Sequence, residues 1–259
     1  MDRIGRYEFL AEPFHCDFSG RLFLGHLGNH MLNAADFHST DRGFGMRRLM
    51  TMQRSWVLSR LAIEVCEMPQ QYERFIVETW VESAMRFFTQ RNFRVVSTDG
   101  NKVYAYGRSV WAMIDTATRQ PTDIMAIDGG ALKEWIVADK ECPIEKGGRV
   151  RIDLTNAALI EEVKTAYSDV DINGHVNSVK YIEHVLNLWT IQWHSSHRIR
   201  RFEIAYVAEA HAGDTLQMLT EQKRAKMLND DGEQLIAIMK DGEKEVARCR
   251  LVAEAMADD

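Results

Sequence analysis

The chain has 259 residues, which is enough for one large domain or two of ordinary size. Hydrophobic residues make up 46% of the sequence and charged residues 27%, so the composition is that of a globular protein with a sizeable core. The formal net charge of -6 argues against a general nucleic-acid-binding protein, and we expect no nucleic-acid partner.

The cysteines and the N-terminal segment indicate the compartment. Four dispersed cysteines without a C-x-x-C pair argue against a zinc ribbon or a disulfide scaffold and suit a reducing environment. The N-terminal segment lacks the apolar core of a signal peptide, and no stretch is long and apolar enough to span a bilayer. We therefore expect a cytoplasmic protein without a membrane partner.

The first half predicts a helix followed by four long strands. Residues 6–23 have the character of a strand with a turn at Ser19-Gly20, and Leu24–Arg42 has the apolar spacing of a helix. The four segments rich in β-branched and aromatic residues are 55–65, 75–85, 87–97 and 103–115. This order is typical of a compact α+β module, in which an antiparallel sheet curls around a helix.

The second half repeats this order after an interruption. Residues 126–148 contain Gly129-Gly130, Pro143 and Gly147-Gly148, and we interpret them as a linker between modules at 1–125 and 149–259. A single helix is expected over Asn177–Trp193. The expected strands are 150–154, 163–167, 199–207, 215–222, 235–240 and 245–253. The sequence around Arg108 also resembles that around Arg248, about 140 residues later, which indicates two copies of one module.

The most informative stretch comes immediately before the second helix. Asp171, Asn173 and His175 alternate as D-x-N-x-H, and Asn177 is a good N-cap for the helix that follows. A carboxylate, an amide and an imidazole are thus gathered where a helix leaves backbone N–H groups unpaired. Such a place can stabilise a developing oxyanion.

Two other interpretations of this stretch must be considered. Asp169, Asp171, Asn173 and Gly174 fit the beginning of an EF-hand loop, but the twelfth position is Lys180, where calcium requires a bidentate glutamate. We therefore exclude a calcium loop. Asn173-Gly174 is also a common turn signal, and the local pattern alone leaves a purely structural turn open.

The first half has no D-x-N-x-H pattern. At the corresponding point, beside its own predicted helix, it has Gly25, His26, Gly28 and Asn29. We therefore expect the polar site in the second module, with the first module free to shape a ligand pocket.

Longer motifs run along most of the chain. In the first half they are Gly43-Phe44-Gly45, Trp56-Val57 with Arg60, Glu78-Thr79-Trp80-Val81, and Arg108-Ser109-Val110-Trp111 with Met113. In the second half they are 168–177, Val179-Lys180-Tyr181-Ile182, Tyr206-Val207-Ala208-Glu209 and Gly213-Asp214. Together they resemble the acyl-acyl-carrier-protein (acyl-ACP) thioesterases of plants and bacteria.

That resemblance implies an α+β fold of two tandem hotdog modules, each a curved antiparallel sheet wrapped around a central helix. It implies an enzyme that hydrolyses the thioester between a fatty acyl chain and the phosphopantetheine arm of acyl carrier protein, with no metal and no cofactor. It maps the catalytic residues onto Asp171, Asn173, His175 and Glu209. Many plant members have a cysteine directly after that glutamate; here the residue is Ala210, so we predict a carboxylate mechanism.

The chemistry of each catalytic candidate follows from its side chain. Asp171 acts as general base for water or attacks the carbonyl carbon directly. Asn173 donates an N–H to the carbonyl oxygen or orients Asp171, and His175 binds water or passes a proton to the leaving thiolate. Glu209 orients His175 or the water. A structural helix cap remains the alternative for Asp171, and a solvated strand residue the alternative for Glu209.

An acyl chain needs apolar surroundings, and an acidic carrier protein needs a basic surface. The expected acyl-binding residues are Met31, Leu32, Met46, Leu49, Met52, Trp56, Val57 and Leu58. Each of these can equally be an ordinary core residue. The expected carrier-docking residues are Arg198, Arg200 and Arg201, which can equally be a solvated face. Chain-length preference cannot be predicted from the sequence, and a homodimer stays open.

Two further hypotheses share this fold. One is a hydrolase of acyl-CoA or another small thioester, with the same chemistry but no carrier docking. The other is a non-catalytic acyl-binding protein. A hotdog hydratase is a weaker alternative, because it would act on enoyl thioesters and release no thiol.

Overall fold

The computed structural model of the chain describes residues 2–148 and 150–256. The chain divides into two compact units, Met1–Lys146 and Gly147–Asp259. In each unit the described residues form five consecutive antiparallel strands of sheet together with helices, which confirms the predicted α+β class. Among the described residues, no helix has the length and apolar character that crossing a membrane requires.

The first unit follows the predicted order of elements. Its elements are β1 (Gly5–Leu10), α1 (Leu24–Asp41), α2 (Met46–Thr51), β2 (Arg54–Val65), β3 (Arg74–Ala84), β4 (Phe88–Ser97) and β5 (Val103–Asp115). The strands lie in the order β1-β3-β4-β5-β2. Of the strand predicted over 6–23, only the beginning forms, because Pro13–His15 adopts a 3-10 turn and Gly20 has a φ of +74°.

Helix α1 is the centre of the first unit. Leu27, Met31 and Ala34 on this helix are fully buried, and the helix packs against β1 and β3. It also lies very close to β5 at Gly107, where a Cβ atom would lie 3.1 Å from Met31 Sδ and 3.1 Å from a ring carbon of Phe93. A glycine permits this close approach of helix and sheet.

The residues after β5 pack onto the first unit. A 3-10 stretch, Ile124–Trp135, buries Ile124, Ile127 and Leu132 in one cluster with Phe44, Leu49 and Met113. Lys140 then pairs with Glu78 at 3.0 Å, and Lys146 pairs with Glu82 at 2.9 Å. Most of the predicted linker is therefore attached to the first unit. The module boundaries at 125 and 149 remain predictions, and residue 149 lies outside the described residues.

The second unit has the same number of described strands in a matching arrangement. Its elements are β6 (Ala157–Lys164), α3 (Ser178–Leu186), α4 (Ile191–Ser196), β7 (His197–Tyr206), β8 (Thr215–Glu221), α5 (Gln222–Ala225), β9 (Gly232–Lys240) and β10 (Lys244–Ala255). The strands lie in the order β7-β10-β9-β8-β6. The strand predicted at 150–154 does not form, and the one predicted at 163–167 lies earlier, as β6.

The single helix predicted over Asn177–Trp193 is wrong, because the chain leaves helical geometry after α3 and starts again at α4. The Thr190 side chain accepts a hydrogen bond from the backbone N–H of Trp193 at 3.2 Å and so begins α4. The indole N–H groups of Trp189 and Trp193 donate to the carbonyls of Leu228 and Asn229, at 2.7 and 3.1 Å. These hydrogen bonds stabilise the interruption between α3 and α4, which apolar periodicity alone does not reveal.

Candidate active site

The D-x-N-x-H residues form a tight turn that leads into α3. The backbone N–H of Asp171 donates to the His175 carbonyl at 2.9 Å, and the N–H of Gly174 returns to the Asp171 carbonyl at 3.0 Å. Gly174 has a φ of +80°, the left-handed conformation that glycine adopts most easily. Backbone hydrogen bonds therefore close the turn and fix the positions from which its side chains extend.

Within this turn the Asp171 carboxylate bonds to Asn173. Oδ1 of Asp171 accepts the backbone N–H of Asn173 at 2.8 Å, and Oδ2 lies 3.4 Å from the Asn173 side-chain nitrogen. Asp171 is half-buried and Asn173 is exposed. Asp171 thus has a structural role in the turn, whatever chemical role it also has.

His175 lies beside Glu209, and the resemblance maps both residues onto the catalytic set. Nδ1 of His175 is 3.4 Å from Oε1 of Glu209. The ring of His211 meets the His175 ring edge-on, with centroids 5.0 Å apart. Because Nδ1 faces the carboxylate, Nε2 of His175 is the nitrogen directed to other partners.

The loop that carries Glu209 is held by Asp214. Burial alone would raise the pKa of Asp214, but the backbone N–H of His211 and the Lys240 ammonium group outweigh it and lower that pKa. Oδ2 of Asp214 accepts the His211 N–H at 2.8 Å and lies 3.2 Å from Lys240 Nζ. The Thr165 hydroxyl donates to the His211 carbonyl at 2.6 Å. These contacts fix the segment that contains Glu209 against its own unit.

Asn177 caps α3 as predicted. Its side-chain oxygen accepts the backbone N–H of Val179 at 3.0 Å, and its own N–H donates to the Asp169 carbonyl at 2.8 Å. The Val176 N–H donates to the Ala210 carbonyl at 2.8 Å. The turn is therefore tied both to the helix and to the loop that contains Glu209.

Sequence reasoning missed a buried pair behind the turn. Asp169 accepts the backbone N–H of Ala166 at 2.7 Å, and its other oxygen lies 3.0 Å from Nε2 of His184 on α3. Both side chains are almost fully buried. Their separation of fifteen positions in the chain follows no helix or strand period, so no sequence signal pointed to the pair.

The first unit contains a copy of the same turn. The N–H of Asp17 donates to the Arg21 carbonyl at 2.7 Å, and the N–H of Gly20 donates to the Asp17 carbonyl at 2.9 Å. Cys16 and Leu22 form an isolated antiparallel bridge, as Val170 and Val176 do in the second unit. The copy precedes α1, and its position in the chain corrects the expectation that Gly25, His26, Gly28 and Asn29 would be the counterpart, because those residues already lie inside the helix.

The two turns differ in the side chains that carry chemistry. Ser19, Arg21 and Phe23 stand where the second unit has Asn173, His175 and Asn177. Leu22 donates its N–H to the Pro69 carbonyl, as Val176 does to Ala210, so Met68 is the counterpart of Glu209. The imidazole and carboxylate pair is therefore absent from the turn of the first unit, within the part of the chain that the structure describes.

The predicted acyl-binding residues do not form one uniform lining. Leu49 is fully buried, and Trp56 packs against its cluster while its indole N–H donates to the Phe44 carbonyl at 3.0 Å. Trp56 and Leu58 share one face of β2 and Val57 faces the other, because side chains alternate along a strand. Of the remaining residues, Met31 is buried on α1, Leu32 and Met46 are half-buried, and Met52 is exposed.

The predicted docking arginines lie on β7 in different environments. Arg198 and Arg200 have exposed guanidinium groups, and both contact Glu254. Arg201 needs correction as a docking residue, because its side chain is buried and its Nε donates to Glu203 at 2.7 Å. A buried, paired guanidinium offers almost no surface to a partner.

Comparisons with known proteins now identify the fold and the family. A crystal structure of an acyl-ACP thioesterase from Bacteroides thetaiotaomicron is 48% identical, and the match covers 97% of this chain and 98% of that one with a TM-score of 0.87. A 12:0-ACP thioesterase structure from Umbellularia californica is 21% identical, covers 99% of both chains and has a TM-score of 0.81. The architecture is that of two tandem hotdog modules.

Residues 6–126 match the model of the acyl-ACP thioesterase N-terminal domain, and residues 152–252 match that of the C-terminal domain. The chain therefore belongs to the acyl-ACP thioesterase family, as its motifs predict. A curated relative is the chloroplastic palmitoyl-acyl carrier protein thioesterase of Gossypium hirsutum, 26% identical over 75% of this chain and 49% of the relative. The chain thus spans about half the length of the curated relatives it matches.

Proposed function

We propose that the chain is a thioester hydrolase that releases a free fatty acid and the carrier thiol from acyl-ACP. The observation that carries the proposal is the contact between His175 and Glu209 beside the Asp171 turn, in the unit that matches the family's C-terminal domain. The equivalent positions of the first unit are Arg21 and Met68, which cannot move a proton near neutral pH.

The reaction needs an attacking oxygen, a stabilised oxyanion and a protonated leaving group. Water attacks the carbonyl carbon and loses its proton to His175, directly or by way of Asp171, which leaves a tetrahedral oxyanion. The oxyanion collapses, the carbon–sulfur bond breaks, and the thiolate takes a proton from His175. Glu209 holds the Nδ1 side of that imidazole, so that Nε2 faces the reacting groups.

Asn173 is the candidate donor to the carbonyl oxygen. Among the described residues its side-chain nitrogen makes one long contact, with Asp171 at 3.4 Å, and its amide has a second hydrogen for a ligand. A preorganised donor of this kind is worth about 10²–10³ in rate. Its exposure leaves it accessible to an incoming thioester.

Asp171 has two candidate roles, as base for water or as nucleophile that forms an acyl anhydride. A single turnover in heavy-oxygen water, with a search for an acylated protein, distinguishes them. Labelled oxygen in the Asp171 carboxylate or an acyl group trapped on Asp171 identifies Asp171 as the nucleophile; label only in the fatty acid with no acylated protein identifies it as the base for water.

The carrier and the acyl chain complete the proposal. Arg198 and Arg200 are the docking candidates, since their exposed cations suit an acidic partner. The acyl chain is assigned to the apolar first-half residues around Leu49 and Trp56. The double variant Arg198→Glu and Arg200→Glu should raise KM for the carrier substrate and leave KM for acyl-CoA unchanged.

The decisive experiment compares hydrolysis of one acyl chain attached to carrier protein and attached to CoA. A clear preference in kcat/KM for the carrier substrate supports the proposal. Equal or higher efficiency on acyl-CoA would make the chain a small-thioester hydrolase. Binding of either substrate without release of thiol would make it an acyl-binding protein.

A further inference from the structure

Three side chains outside the candidate active site converge in the first unit. Glu12, His15 and His30 each present one ligand atom, and these atoms all lie within 4.8 Å of one another. Oε2 of Glu12 is 3.0 Å from Nδ1 of His15 and 3.9 Å from Nε2 of His30. Glu12 immediately precedes the 3-10 turn Pro13–His15, His15 ends that turn, and His30 belongs to α1. The cluster therefore joins two elements of the unit.

His30 shows that this is more than a surface ion pair. Its side chain is 8% exposed, and neither ring nitrogen has a hydrogen-bond partner among the described residues. The ring is held between Phe9 and Phe75, with centroids at 4.6 and 5.4 Å. Buried polar atoms are nearly always satisfied in native proteins, so an imidazole edge directed at a carboxylate and a second imidazole calls for a ligand.

The distances suit a metal ion. Zinc binds imidazole nitrogen and carboxylate oxygen at about 2.0–2.2 Å in a tetrahedron, which sets its ligand atoms about 3.3 Å apart. The two measured separations, 3.0 and 3.9 Å, lie on either side of that value. All three ligand atoms lie within 4.8 Å of one another, so side-chain rotations can bring them toward one ion.

We propose that Glu12, His15 and His30 bind a divalent transition-metal ion of the zinc class, with water at the fourth position. A donor set of two imidazoles and one carboxylate is characteristic of such ions. The ion would fasten the 3-10 turn to α1. Its role is structural, because the adjacent turn lacks the imidazole and carboxylate pair of the second unit.

His26 is the natural control for this assignment. It precedes His30 by one helical turn, and its ring stacks on that of His15 with centroids 4.1 Å apart. His26 supports the orientation of a ligand but lies outside the ligand set. The variant His26→Phe keeps an aromatic ring there and removes its nitrogens.

The test uses the full chain without a histidine tag, stripped with a chelator and titrated with Zn²⁺ or Co²⁺. We expect one ion per chain, a raised midpoint of thermal unfolding, and the visible absorption bands of tetrahedral Co²⁺. Glu12→Gln and His15→Gln should weaken binding more than about 100-fold, since losing a group outside a ligand set already costs about 10–100-fold. His26→Phe should keep the bands.

Three results would overturn the proposal. One is an unchanged unfolding midpoint with no Co²⁺ bands in the unsubstituted chain. Another is equal affinity in Glu12→Gln, in His15→Gln and in the unsubstituted chain. The last is complete loss of binding in His26→Phe, which would assign the ion to other ligands.

Discussion

Asp17 and Asp171 make the same turn in the two units. Oδ1 of each accepts the backbone N–H of the residue two positions later, and the donor–acceptor distance is 2.8 Å in both. His175 and Glu209 lie beside the Asp171 turn, whereas the equivalent positions at the Asp17 turn are Arg21 and Met68. Asp17 can therefore serve as a control that reports the structural contribution of an aspartate in this turn, separately from any catalytic contribution of Asp171.

This pair gives the first prediction. Asp171→Asn should lower kcat on acyl-ACP by about 10²–10⁴-fold, the usual contribution of a positioned acid or base. Asp17→Asn should leave kcat unchanged while losing at least as much stability as Asp171→Asn, because Asp17 accepts the equivalent backbone N–H and two further hydrogen bonds. Steady-state kinetics and chemical unfolding of the two variants measure both effects. Equal activity in the two variants would reduce Asp171 to a turn residue.

The second prediction concerns His175 and Glu209, which should act as one unit. His175→Gln should lower kcat by about 10²–10⁴-fold. The double variant with Glu209→Gln should lose hardly more than His175→Gln alone, because the glutamate acts through the imidazole. A double-mutant cycle on kcat measures the coupling. Strict additivity would mean that the two side chains work independently.

A third prediction tests the carboxylate mechanism against a thiol mechanism. Cys249 on β10 is fully buried, and burial raises the pKa of its thiol far above the usual value. A buried protonated thiol is a poor nucleophile. Cys249→Ser should therefore keep kcat. It should lose about 1–3 kcal/mol of unfolding free energy, because the serine hydroxyl would be buried without a hydrogen-bond partner. Loss of kcat in a variant that still folds would revive the thiol mechanism.

The fourth prediction concerns the start of α3. Asn177→Ala removes the side chain that accepts the Val179 N–H and should cost about 1 kcal/mol of unfolding free energy. Asn177→Asp keeps an accepting oxygen and should retain most of the stability. Urea unfolding of both variants gives the comparison. An alanine variant as stable as the original would show that the helix start is held by the backbone bonds alone.

The fifth prediction is acid sensitivity of the first unit. Burial, together with Arg91, lowers the pKa of His38 to about 3, although the carbonyl of Arg3, which lies 3.0 Å from Nε2, and Asp2 favour the charged form. Arg42 adds to the lowering. In the unfolded chain the same imidazole titrates near 6.5. Below pH 6.5 His38 binds a proton in the unfolded state but stays neutral in the folded state.

Stability should therefore fall as the pH is lowered from 6.5 toward about 3, by up to about 1.4 kcal/mol per pH unit for one such histidine. Only the upper part of this window lies above the range in which carboxylates titrate. His38→Gln keeps a donor for the Arg3 carbonyl and should reduce the slope. Unfolding free energies at several pH values measure it. A slope unchanged by His38→Gln would assign the acid sensitivity to other groups.

Sequence patterns predicted strands β2 to β5 of the first unit well, because long segments rich in β-branched and aromatic residues such as 103–115 leave few alternatives. They failed at the break after α3, since hydrogen bonds from Trp189 and Trp193 to residues far along the chain decide it. They found the turn at Ser19-Gly20 but did not match it to the turn at Asp171, although D-x-S-G at Asp17 parallels D-x-N-G at Asp171. The parallel became clear only when the backbone bonds were compared.

Only part of the candidate site could be predicted from the spacing of its residues in the sequence. Asp171, Asn173 and His175 are close in sequence, so a turn was bound to bring them together. Glu209 was reached through the resemblance, and the contact with His175 depends on a loop held by Asp214 and Lys240. The Glu12, His15 and His30 cluster was missed, because its spacing matches no metal motif and packing alone assembles it.

Gly107 determines how near α1 can approach β5, since only a hydrogen atom separates its backbone from Met31 and Phe93. A methyl group at this position would clash with both side chains, so that the helix or these side chains would have to shift. Because Met31 is also one of the predicted acyl-binding residues, residues 31, 93 and 107 should be changed together when the space for an acyl chain is to be redesigned.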